Sequence, residues 1–188
     1  MTKSVVSIGK PTQAIAREPR PFLFLQPART TTLPVAIDPI GIERLDEAAD
    51  EAVPTLVRSL VNFSITLSNR SLFERGKQQP IQLSVLNRRR RVARAWLNAV
   101  LAGKTDAPTQ HSLVTQWMPT LCGTGPNLAQ AAEQGPKFVE FLRGALTGVI
   151  FSEPAANLLG HARALHVVET VLAVHLAAVK NVGSSSTQ

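Results

Sequence analysis

The sequence has one cysteine, Cys122, in 188 residues. An internal disulfide is therefore excluded, and a reducing compartment, the cytoplasm, is the expected location. Tyrosine is absent and aromatic residues make up only 5%. A platform that stacks successive bases of a single strand needs exposed aromatic rings, so that architecture is disfavoured. No complete catalytic, metal-binding or nucleotide-binding signature is present, and the expectation is a non-enzymatic protein without a cofactor. Residues 1–10 lack an apolar run of the length a signal peptide requires. The most apolar stretch, residues 155–179, carries His161, Arg163, His166, Glu169 and His175. That is too many ionisable groups for lipid, so neither a membrane span nor a membrane partner is expected. Acids are also scarce: 13 Asp and Glu stand against 20 Lys and Arg, a net charge of +7.

What is present is enough for one domain with an arm. Hydrophobic residues reach 44%, and a chain of this length buries roughly 70% of its unfolded surface. Residues 1–38 form a basic, Pro-rich arm. Lys3, Lys10, Arg17, Arg20 and Arg29 outnumber Glu18 and Asp38, and five prolines prevent a continuous helix. Short β-capable runs occur at 4–8, 22–26 and 30–37. The run Phe22-Leu23-Phe24-Leu25 is apolar on both faces, which predicts docking on the helical body or on a second copy. Basic residues with Ser and Thr also give the arm a loose likeness to an organelle transit peptide.

Residues 39–182 read as a helical domain, followed by a flexible polar tail at 183–188. The fold class is mainly α: a bundle of five to seven helices. Proline suits the first turn of a helix and disrupts later turns. Helices are therefore predicted to start near Pro39, Pro54, Pro80, Pro108, Pro126, Pro136 and Pro154. The second is rich in β-branched Val57, Val61, Ile65 and Thr66, which weakens its intrinsic helicity. The last is predicted to end near Asn181, before Gly183. In it, His161, Leu165, Val168, Leu172, His175 and Val179 recur at alternating spacings of four and three. Such a line is either a core helix, the favoured reading, or a dimer seam. Together with the apolar arm it predicts a homodimer.

The chemistry-bearing residues are sparse. His161 and His175 are separated by about 21 Å of helical rise and cannot share a metal. His166 and Glu169 are three apart, but a di-iron bundle needs this motif on two helices and further Glu on two more. Cys122 with His111 lacks an orienting group for thiol catalysis, so Cys122 reads as a packed side chain at a helix end. Gly123-Thr124-Gly125-Pro126 has no following Lys and reads as a turn, not a phosphate loop. Residues 110–134 could form a helix–turn–helix with Asn127, Gln130 and Gln134 outward, although the second helix carries Glu133 and no Arg or Lys.

The most informative motif is Asn87-Arg88-Arg89-Arg90-Arg91-Val92-Ala93-Arg94. At 100° per residue, Leu86, Val92, Ala93, Trp96, Leu97 and Val100 fall on one half of the helix. Asn87, Arg88, Arg91 and Asn98 fall on the other, with Arg94 at the boundary. Arg89 and Arg90 fall within the apolar half, so they must snorkel or mark where it is uncovered. Arg88, Arg91 and Arg94 rise as a ladder whose guanidinium groups can meet successive phosphates. The expected partner is DNA or RNA, bound largely without sequence preference. The candidate contacts are Asn87, Arg88, Arg91, Arg94 and Asn98, with Lys3, Lys10, Arg17 and Arg20 of the arm wrapping further along. The competing reading is a helical adaptor whose arginines meet an acidic partner, or pair with Asp46, Glu47, Asp50 and Glu51. No small-molecule substrate is expected.

Overall fold

A computed structural model describes residues 36–74, 81–123, 127–152 and 158–185. The β-capable runs of the arm, except Ala36 and Ile37, lie outside the described residues. So do Pro80, Pro126 and Pro154. The described residues are helical with short connections and contain no strand.

The first helix, α1, spans Pro39–Ala49. Pro39 fills its first turn, where a missing N–H is harmless, and the Asp38 carboxylate accepts a bond from the Ile40 N–H at 3.1 Å. A 3-10 turn at Asp50–Ala52 leads into α2, Val53–Glu74. Despite its β-branched residues α2 stays helical, because Leu56, Leu60, Val61 and Ser64 share one buried face. Tertiary burial of that face outweighs a small intrinsic penalty. The basic helix, α3, spans Leu83–Leu101. A connection containing Gly103, whose φ of 63° is left-handed, then reaches Asp106. The Asp106 carboxylate caps α4, Ala107–Ser112, accepting from the Thr109 N–H at 2.8 Å and the Thr109 hydroxyl at 3.0 Å.

From α4 the chain stays helical through a π turn at Leu113–Trp117 and then α5, Met118–Cys122. Pro119 explains the wider turn. In a regular α-helix its ring would meet the Thr115 carbonyl. Instead the Met118 N–H donates to the Leu113 carbonyl, five residues back, and one residue is looped out ahead of the proline. Gly123, with φ of 68°, ends α5.

The helix α6 runs from Leu128 to Ser152 without interruption, with Pro136 inside it. The predicted helix start at Pro136 is therefore wrong. A proline normally forces the preceding residue out of the α region, partly by meeting its Cβ. Here the preceding residue is Gly135, which has none. The helix–turn–helix reading also changes, since its second helix is long and Gln130 and Gln134 are half-buried.

The last helix, α7, spans Leu158–Ser185 and passes through the predicted stop at Gly183. It lies antiparallel to α6. Gly135 near the start of α6 meets Val179 near the end of α7, Arg143 Nε pairs with Glu169 at 3.2 Å, and the Phe151 and His161 rings lie 6.2 Å apart. Gly41 brings α1 against the same helix, where a Cβ would sit 2.7 Å from Val167 and 2.8 Å from the Arg163 carbonyl. Leu158–Asn181 is long and apolar enough to cross a bilayer by length and composition alone. In this fold His161, Val168, Leu172, His175 and Val179 are buried against the chain itself. The predicted line is thus a core face within the chain, the favoured of the two readings.

Candidate nucleic-acid interface

The basic helix has the two faces its periodicity predicts. Ala93, Trp96, Leu97 and Val100 are buried, while Asn87, Arg88, Arg91, Arg94 and Asn98 are exposed. The inner face is held by a specific bond. Trp96 Nε1–H donates to His175 Nδ1 at 3.3 Å, and His175 Nε2 lies 3.0 Å from the Lys104 carbonyl. A carbonyl only accepts and an indole N–H only donates, so His175 is the neutral tautomer with its proton on Nε2. Burial holds its pKa below the ordinary imidazole value; the Lys104 carbonyl acts against that but does not overcome it.

The structure distributes the outer arginines over three grooves. Arg91 and Arg94 join Arg58 of α2 and Arg90 around a groove of about 420 Å³ with Pro54 and Val57 in its walls. Arg94 and Asn98 also line a second groove with Glu43, Asp46 and Asp50. Arg88 faces a third, with Arg89, His111 and Thr115. Among the described residues Arg58, Arg88, Arg90, Arg91 and Arg94 make no ion pair; the pairs formed are Arg44–Glu47, Arg143–Glu140, Arg143–Glu169 and Arg163–Asp38. Lys3, Lys10, Arg17 and Arg20 lie outside the described residues.

Of the two arginines within the apolar half, Arg90 fits the reading from sequence and Arg89 corrects it. Arg90 is exposed and joins the groove with α2. Arg89 neither snorkels nor marks an uncovered edge: it is 5% exposed. Its Nη2 donates to the Ser68 hydroxyl at 2.9 Å, while Nε and Nη1 are buried without a partner. Burial pulls its pKa down, but a guanidinium stays charged in a protein. Arg58 was missed because it stands apart in sequence, well before the Arg run, and only the pairing of α2 with α3 brings it there.

Cys122 is buried at the end of α5, and burial pushes its thiol up to about 12 against the opposing charge of Arg89. A thiolate nucleophile at neutral pH is therefore not formed there. Among the described residues no group of three His, Cys, Asp or Glu side chains could hold a metal. No protein family, curated protein or solved structure matches this chain.

Proposed function

We propose that this protein binds nucleic acid through the phosphate backbone, without catalysis, and that α3 carries the contact. The observation that supports this is the row of exposed arginines, Arg88, Arg91 and Arg94, joined by Arg58 and Arg90, none of which makes an ion pair among the described residues. Unpaired guanidinium groups on one helix can each take a phosphate with two donors. Asn87 and Asn98 add neutral donors, and Lys3, Lys10, Arg17 and Arg20 would extend the track. Such binding reads backbone and not bases.

The test is retention on immobilised duplex DNA or RNA across a salt series. On DNA, replacing Arg88, Arg91 and Arg94 with alanine is expected to shrink the slope of log K against log salt by about 2.7, or roughly 0.9 per phosphate lost. The loss should be equal on unrelated sequences. An unchanged slope would remove α3 from the interface.

A second reading has its own support. The groove of Pro54, Val57, Arg58, Arg90, Arg91 and Arg94 combines apolar walls with four guanidinium groups. That chemistry also suits an acidic amphipathic peptide of a protein partner. No retention on nucleic acid at low salt, together with recovery of one specific acidic protein, would favour this adaptor function. A homodimer remains part of the proposal. Phe151, Leu158 and Leu159 are exposed and apolar near the α6–α7 connection, and light scattering at micromolar concentration tests it.

A further inference from the structure

We propose that the groove between α3 and the α4–α5 segment binds a small phosphate monoester, with Arg89 as its buried anchor and Arg88 and His111 at its mouth. The inference starts from an imbalance. Arg89 is a buried charge whose one bond goes to a neutral hydroxyl, Ser68. Its Nε and Nη1 have no partner, and it makes no ion pair among the described residues. Taking a charge out of water is costly unless an opposite charge and hydrogen bonds replace that water. The nearby Cys122 thiol is neutral and cannot supply the missing charge. An apolar side chain would serve the core better, so the arginine has a use other than packing.

The groove supplies the use. It measures about 810 Å³ and is lined by Arg88, Arg89, His111, Ser112, Thr115 and Gln116, with no carboxylate among its described walls. That volume lies in the range of sites for small organic ligands and exceeds what a bare ion needs. Two guanidinium groups, an imidazole and several hydroxyls match a doubly charged tetrahedral oxyanion better than a single carboxylate. The backbone is shaped around the anchor. Gly123 ends α5 in the left-handed region, and a Cβ there would sit 2.6 Å from Arg89 Nη2 and 2.8 Å from the Ser68 hydroxyl. Glycine satisfies both the turn and the guanidinium without moving either side chain. Nε and Nη1 are shut off from water, so a ligand reaches them only as neighbouring side chains move aside.

The experiment uses the full chain, with thermal unfolding and calorimetric titration against inorganic phosphate and phenyl phosphate, and chloride at matched ionic strength as control. Both phosphates should raise the melting temperature saturably, phenyl phosphate at lower concentration, while chloride should not. Arg89→Met should abolish saturation and, without phosphate, melt no lower than the native chain. Absence of saturable binding overturns the proposal, as does an Arg89→Met chain that binds unchanged. If Arg89→Met does not fold, the exposed pair Arg88→Ala and His111→Ala decides. Together they should weaken phosphate at least about tenfold, roughly the effect of one lost charge-assisted bond, and unchanged affinity overturns the site. Competition by a 5′-phosphorylated strand, but not by the same strand without that phosphate, would assign the phosphate to a nucleic-acid end. Competition by phenyl phosphate alone assigns it to a small molecule. The site shares Arg88 with the nucleic-acid proposal but not Arg91 or Arg94. Arg91→Ala with Arg94→Ala should reduce retention on DNA and leave phosphate saturation intact, so either reading can fail without the other.

Discussion

His175 is the residue most exposed to a change of proton count. Its Nδ1 accepts from Trp96 and its Nε2–H faces a carbonyl. Protonation would set Nδ1–H against the indole N–H, donor to donor. The folded state therefore takes up this proton less readily than the unfolded chain, where histidine titrates near about 6.5. The unfolded state then holds more protons as pH falls through that value, and stability falls with it. Urea unfolding between pH 7.5 and 5.5 should show a loss of up to about 1.4 kcal/mol per pH unit from this group. His175→Gln should flatten that dependence. Cys122 gives a second residue-level expectation. With its thiol pushed up to about 12 and buried, a disulfide reagent at pH 8 should leave the native chain unlabelled and label it fully in urea. Rapid labelling of the folded chain would contradict the packing at the end of α5. The packing of Cys122 at a helix end and the core position of His175 were legible in the sequence; their partners were not, because Arg89, Trp96 and Lys104 lie far along the chain.

Among the elements, α3 separates two roles within one helix. Arg88→Ala, Arg91→Ala and Arg94→Ala together should change stability by about 0.5 kcal/mol or less per site, since all three are exposed. Trp96→Ala should cost about 3 to 5 kcal/mol, because the side chain is fully buried. Thermal and urea unfolding of the two variants check the contrast. This division was legible before any coordinates, because the spacing of Val92, Trp96 and Leu97 follows the helical repeat. Helix starts were legible where proline met a capping acid, at Asp38–Pro39, and where it followed Asp106 within two residues. They were misread at Pro136, which lies inside α6; the missing Cβ of Gly135 removes one of the clashes that end a helix before proline. The π turn was not legible, since Pro119 signals a disruption but not its form. Arg89 was legible only as an anomaly within the apolar half. Its place beside Ser68 and Gly123 depends on two other elements, and no periodicity within α3 contains that information.

For the whole molecule, α7 is the common wall. It packs along α6 and α1, and it reaches α3 through His175. The quality of that wall depends on small residues, so two glycine substitutions should act oppositely. Gly41→Ala meets Val167 and the Arg163 backbone and should cost about 1 to 3 kcal/mol. Gly144→Ala, in α6 with open space around it, should stabilise by up to about 1 kcal/mol through helix propensity. Melting temperatures of both variants test whether the packing of α1 on α7 is as close as described. The bond from Trp96 to His175 spans 79 residues of sequence, and this separation sets an order in time. As the chain leaves the ribosome, α1, α3 and α6 emerge with the faces that α7 will cover still bare. The centre of the bundle cannot close until α7 follows them out, so the apolar surface that α7 covers stays bare until then. Apolar surface left bare over that interval is open to aggregation and to capture by a chaperone.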